Sequence, residues 1–249
     1  MLSIIIPTLK SNKKYLDLCI ESLSENTTGD FKILVEENGK DTDYAPGQWG
    51  AVNRGLSKVD TDWTMVVNDD MYFPQGWDRY IDYSYDCFSP NWIEPPEVGS
   101  APPFLKLNAG NTLETFNKEE VDKFALNNED LSVENGFNLG FIIKTDLFRK
   151  IEGFDEMYDP YGSNGDSDFQ YKLEIAGVTP KRNRSMLIYH FGSKSESFTP
   201  DKQSYWQKNY EYFTEKWGIK RADSPDIWYH NLKIDKDQLK YKPDWSTYV

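Results

Sequence analysis

Asp69 and Asp70 are adjacent carboxylates that end the run Trp63-Thr64-Met65-Val66-Val67-Asn68, an apolar stretch with strand-like composition. Open α/β sheets bind ligands just outside the carboxyl ends of their strands. A hard divalent cation is held there by one or two carboxylates together with substrate phosphate oxygens, so a short acidic motif is enough. Taken alone, the same pair reads better as a solvated turn than as a cation site. A second acidic pair, Asp166 and Asp168, opens a predicted helix over 166–176. The helix dipole there keeps a carboxylate ionised, and the position suits a simple cap as well.

The elements that must position these residues follow the βαβ pattern of a mostly parallel sheet. Residues 3–6 form a strand ended by Pro7. Ser11 or Asn12 caps a helix with its apolar stripe at Leu16, Cys19, Ile20 and Leu23. A strand over 31–35, a helix over 51–59, the strand from Trp63 and a helix from about Gln75 complete the first half. Five prolines between 89 and 103 predict an irregular connection to the second half. Beyond it come a strand over 137–144, a short helix from Thr145 to Ile151, the 166–176 helix and a strand over 185–189 that ends at His190. Thr199-Pro200 starts a last helix. Its Tyr205, Trp206, Tyr210, Phe213 and Trp217 read as core rather than as a sugar-stacking platform.

Composition narrows the classes. The chain has 249 residues, 38% hydrophobic and 28% charged, with a formal charge of −13. An acidic protein of this kind disfavours nucleic acid and anionic membrane as partners, and any phosphate site must bring its own local cation. Cys19 and Cys87 are the two cysteines, with no CxxC or Cys/His cluster for structural zinc. No signal peptide and no stretch near the roughly 20 apolar residues of a membrane span is present, so the default location is cytoplasmic.

Seven short segments occur in order: Ile4-Ile5-Ile6-Pro7-Thr8, Val35-Glu36-Glu37-Asn38-Gly39, Asn53-Arg54-Gly55, Asn68-Asp69-Asp70, Gly153-Phe154-Asp155-Glu156, Asp166-Ser167-Asp168 and Lys216-Trp217-Gly218. Together they resemble the signature elements of family 2 glycosyltransferases, over Leu2 to about Gly218. The resemblance implies a GT-A domain over 1–218, with a nucleotide-binding half (1–100), an acceptor-binding half (101–218) and a packed extension (219–249). It implies an inverting, metal-dependent hexosyltransferase that uses a nucleoside-diphosphate sugar, UDP-linked, with Mn2+ preferred and Mg2+ possible, and a saccharide or other hydroxyl acceptor.

The same resemblance assigns residues. Glu37 stands where the family recognises the base, and Pro7, Thr8 and Asn38 line that pocket; Glu37 is otherwise a turn residue. Asn53 and Arg54 fall on the donor side, where Arg54 either faces the diphosphate or lies on a helix surface. Asn68-Asp69-Asp70 resembles the DxD element with Asn in first place, which implies a ribose contact at Asp69 and the metal at Asp70. Asp166, ahead of Asp168, resembles the catalytic base. His190 is either a further metal ligand, suited to manganese, or structural. Two rivals stand beside this reading: a catalytically silent sugar- or nucleotide-sugar-binding protein with the same fold, and a sugar nucleotidyltransferase. The second wants a Gly-rich loop early in the chain, and residues 7–14 contain no Gly.

Overall fold

A computed structural model describes residues 1–38, 47–98, 104–192, 194, 202–218, 230, 232 and 235–243. β1 (Leu2–Thr8) is buried at every residue. Such a continuous apolar run marks a strand covered on both faces. β1 pairs in parallel with β2 (Phe31–Glu37) on one side and β3 (Trp63–Val66) on the other. On one face α1 (Lys13–Asn26) sets Cys19 and Leu23 against Ile4 and Ile6. On the other, α2 (Gln48–Ser57) packs Val52 and Leu56 against Ile5. The approach is close: a Cβ on Gly55 would stand 2.5 Å from Ile5 Cγ2.

Beyond β3 the sheet continues through β8 (Ile142–Lys144), β5 (Cys87–Glu94), β9 (Lys181–His190) and β4 (Met71–Tyr72). β6 (Leu105–Lys106) adds to β5, and β7 (Val133–Asn135) to β9. The long pairings, β1 with β2 and β5 with β9, are parallel; the antiparallel ones are short. One sheet therefore runs through both halves of the sequence.

The irregular connection expected from 89 to 103 is corrected in its first part. Residues 89–94 belong to β5, a fully buried interior strand. Proline is tolerated because the register shifts between Ser89 and Asn91, and a bulge needs no ladder N–H from Pro90. The helix expected from Gln75 is only a short 3-10 turn, Trp77–Tyr80. The strand expected over 137–144 shrinks to β8, because Gly140 takes φ 90° and turns the chain into it. Conversely β9 begins earlier than the apolar run, since polar residues at 181–183 pair with β7.

α4 (Thr145–Lys150) follows β8, and α5 (Gly165–Ile175) packs Phe169 and Leu173 onto the same face as α2. α3 (Lys118–Asn127), absent from the sequence reading, is capped by Asn117, which accepts from Glu120 N at 3.1 Å. α6 (Lys202–Trp217) buries Phe213 and Trp217 in the core and leaves Trp206 and Tyr210 stacked at its half-exposed side. The expected start at Thr199-Pro200 lies outside the described residues. Leu239 and Tyr241 pack against the same core. Among the described residues no helix is long and apolar enough to cross a membrane.

Candidate active site

Asp69 and Asp70 are both buried, and their surroundings differ. Asp69 turns toward the end of β1, where its carboxylate accepts from Thr8 Oγ1 at 2.6 Å and from Asn12 Nδ2 at 3.2 Å. Asn12 precedes α1 but caps nothing with its side chain; its amide is committed to Asp69 instead. Burial pushes the Asp69 carboxyl up to about 6, helped by the charge of Asp70 and opposed by the Thr8 and Asn12 hydrogen bonds.

Asp70 is fixed to the end of β9. Its carbonyl accepts from Phe191 N at 3.1 Å, and its Oδ2 from Lys194 N at 3.0 Å. Its other oxygen, Oδ1, faces His190 Nε2 at 3.6 Å. The antiparallel register Met71↔His190 between β4 and β9 brings these two together from distant parts of the chain. His190 is buried, stacks at a tilt on Trp92 with ring centroids 4.3 Å apart, and meets Glu94 Oε1 through Nδ1 at 2.9 Å. Burial opposes charge on the ring, but Asp70 and Glu94 outweigh it and raise its pKa. Glu94 is in turn paired with Lys106 at 3.0 Å.

A carboxylate oxygen and an imidazole nitrogen, both buried and facing each other, fit a divalent cation. Among the described residues no three His, Cys, Asp or Glu side chains gather to hold a metal ion by themselves. The donor set suits an ion whose shell is completed by phosphate oxygens.

The residues expected at the base pocket cluster at the ends of β1 and β2. Asn38 N donates to Thr8 O at 2.7 Å, and the buried Asn38 Oδ1 has no hydrogen-bond partner. Glu37 is exposed at the end of β2. Arg54 lies against the same edge: Nη2 donates to Glu37 O at 2.8 Å, and Nε stands 3.7 Å from Glu36, which Lys58 also pairs. Pro7 is buried within β1, and Asn68 is half-buried, its carbonyl facing Cys19 Sγ. Asn53 has a different setting. Its amide donates to Phe154 O and Glu156 Oε1 and accepts from Phe154 N, so it clips the Gly153–Glu156 turn onto α2.

Asp166 stands half-buried in the first turn of α5, where Oδ1 accepts from Ser167 N at 2.8 Å. That turn abuts the start of α2: Trp49 Nε1 donates to Gly162 O at 2.9 Å, and a Cβ on Gly165 would collide with the Trp49 ring. The first turn of α5, with Asp166 in it, is thereby packed on the start of α2. Asp168 points the other way, into the core. It is fully buried, and its Oδ1 accepts from Trp217 Nε1 at 2.8 Å, Lys216 Nζ at 2.8 Å and Tyr158 Oη at 3.1 Å. Burial pushes its carboxyl up, with Lys216 and Lys172 pulling back. Lys216 also binds Asp155 at 2.8 Å; the two carboxylates overcome its own burial and hold it charged.

Asp159 ties the same region together. It accepts from Trp49 N at 3.2 Å and Gly50 N at 2.8 Å at the start of α2, yet burial raises its carboxyl to about 6 despite these N–H groups. An unfolded Asp titrates near 3.9, so the folded state binds the proton more tightly and stability falls as pH rises through this window. Relative to Asp159→Asn, the wild type is expected to lose about 2 kcal/mol between pH 4 and 7, part exposure of the group included. Denaturant unfolding at both pH values checks this, and an unchanged difference between the two proteins refutes it.

Glu94, Lys106 and Asn12 escaped the sequence reading. Glu94 was masked by the prolines around it, and Asn12 by its resemblance to a cap. Lys216 lay inside a recognised segment without a role.

Several solved structures resemble this chain. GalNAc-T7 with UDP, GalNAc and Mn2+ superposes with a TM-score of 0.59 at 13% identity, over 88% of this chain and 49% of that one. S. aureus TarS 1–349 gives 0.54 at 14%, over 95% and 76%. The catalytic domain of Drosophila β1,4-galactosyltransferase 7 with xylobiose gives 0.46 at 11%, over 73% and 64%. This chain thus spans about half the length of the GalNAc-T7 structure it matches. No family model and no curated protein matches the sequence. The fold is GT-A.

Proposed function

We propose that the chain is an inverting glycosyltransferase that moves a sugar from a nucleoside-diphosphate donor, UDP-linked, to an acceptor hydroxyl. The observation that carries the reading is the meeting of the buried Asp70 and His190 where β4 pairs with β9; Asp166, in the first turn of α5, supplies the second acid. In this reading the nucleoside lies along Pro7, Thr8, Glu37 and Asn38, with the ribose at Asp69, which Thr8 and Asn12 hold in place. Arg54 braces the Glu37 end of that pocket, and Asn68 leads into it. Asn53 acts through the turn it clips rather than by touching the donor.

Asp70 and His190 would hold Mn2+ or Mg2+ against the diphosphate. When bound, the ion supplies a Lewis acid that takes up charge on the departing diphosphate. Asp166 accepts the proton of the acceptor hydroxyl as its oxygen attacks the anomeric carbon. The bond from that carbon to the diphosphate oxygen breaks on the opposite face, and its electron pair leaves with the nucleotide.

A thermal-shift screen of nucleoside diphosphates with and without Mn2+ tests the donor site. UDP with Mn2+ at a hundredfold excess over Kd is expected to add about 2.7 kcal/mol of stability, and Asp70→Ala to lose the manganese-dependent share. Absence of any nucleotide response sinks the reading. Manganese-dependent hydrolysis of a UDP-sugar then separates a transferase from a silent binder.

A further inference from the structure

We propose that Glu94 is a positioning residue that orients the His190 ring so that Nε2, not Nδ1, faces Asp70. The inference rests on the reading of Asp70 and His190 as the pair that holds the cation. β6, β5, β9 and β4 lie side by side, and their registers bring one row of groups into line. Lys106 is the partner of Glu94 across β6 and β5. Ile93 is the partner of Tyr189 across β5 and β9, so Glu94 and His190 come next along that pair. Met71 is the partner of His190 across β9 and β4, which puts Asp70 at the end of the row.

The contacts follow the row. Lys106 Nζ meets Glu94 Oε2 at 3.0 Å, Glu94 Oε1 meets His190 Nδ1 at 2.9 Å, and His190 Nε2 faces Asp70 Oδ1 at 3.6 Å. The last distance is too long for a hydrogen bond. Glu94 has no solvent exposure, and a carboxylate so buried must be paired and hydrogen-bonded. Its Oε1 accepts a hydrogen bond from Nδ1–H, so a neutral ring carries its lone pair on Nε2. Two electron-rich atoms, Nε2 and Asp70 Oδ1, then face each other. That arrangement is favourable around a cation. Trp92 stacks on the ring and restricts its tilt, but stacking does not distinguish a ring from its flipped form. Glu94 does, because a flip would replace its N–H donor with a C–H.

The test uses the full chain with Glu94→Gln and Glu94→Leu. Gln keeps an acceptor oxygen for Nδ1–H, whereas Leu keeps the bulk without it. Mn2+ affinity in the presence of UDP, read from the free-ion EPR signal, is expected to fall about 10- to 100-fold in the Leu variant. The Gln variant is expected to stay close to wild type. Equal affinity in all three proteins overturns the inference.

Ring-nitrogen NMR supplies a readout that needs no metal. The chain has two histidines, so His230→Gln leaves the His190 signals alone. At a pH where the ring is neutral, wild type is expected to carry its proton on Nδ1, and Glu94→Leu to populate both tautomers. If wild type binds Mn2+ no better than Asp70→Ala does, the cation reading fails, while the tautomer result still upholds or overturns the positioning role. Should the Leu variant not fold, the wild-type tautomer decides: a proton on Nε2 overturns the inference.

Discussion

Asp166→Asn is expected to lower kcat for sugar transfer by about 10²- to 10⁴-fold, the range attributed to a positioned general base, while leaving the fold and donor binding intact. The expectation comes from how little else the carboxylate does. Among the described residues its hydrogen bonds are local, to the amide and hydroxyl of Ser167, and Asn can still accept the first of them and cap the turn. The amide cannot take a proton from an acceptor hydroxyl at neutral pH. Steady-state turnover should therefore collapse while the UDP and Mn2+ thermal shift stays at its wild-type value. A variant that turns over normally would remove Asp166 from the mechanism. One that loses the nucleotide shift would place it in donor binding instead.

Much of the fold was legible because one physical rule governs each legible part. β1 reads as a buried strand because both its faces are covered, and the α1 stripe through Cys19 and Leu23 follows from helical period alone. Pro90 misled for the opposite reason. Local chemistry argues against a strand there, and only the bulge, a property of the pairing with β9, makes it admissible. The site divides in the same way. Asp69, Asp70 and Asp166 are visible as acids at element ends. The row from Lys106 to Asp70 is not, since it exists only once four strands take their registers. Equally hidden is the contrast between Asp166 and Asp168. Asp166 stays half-buried in the first turn of α5 while Asp168 turns toward α6, and nothing in Asp-Ser-Asp says which is which.

Asp168→Leu is expected to destabilise the fold by about 3–5 kcal/mol, the magnitude seen when one partner of a buried ion pair is removed. Three donors converge on this carboxylate: the Tyr158 hydroxyl, the Trp217 indole N–H and the Lys216 ammonium. Leucine offers none of them an acceptor. Each buried donor left without one costs about 1–3 kcal/mol, although Lys216 keeps Asp155 as a second partner. The strain falls where α6 meets the rest of the molecule, because Trp217 and Lys216 anchor the end of that helix to α5 and to the 155–158 turn. Turnover should fall too, but as a consequence of unfolding, with a lowered denaturant midpoint to match. If Asp168→Leu instead keeps its midpoint and loses only catalysis, Asp168 is the proton acceptor and Asp166 the cap, and the assignment of the two acids is reversed.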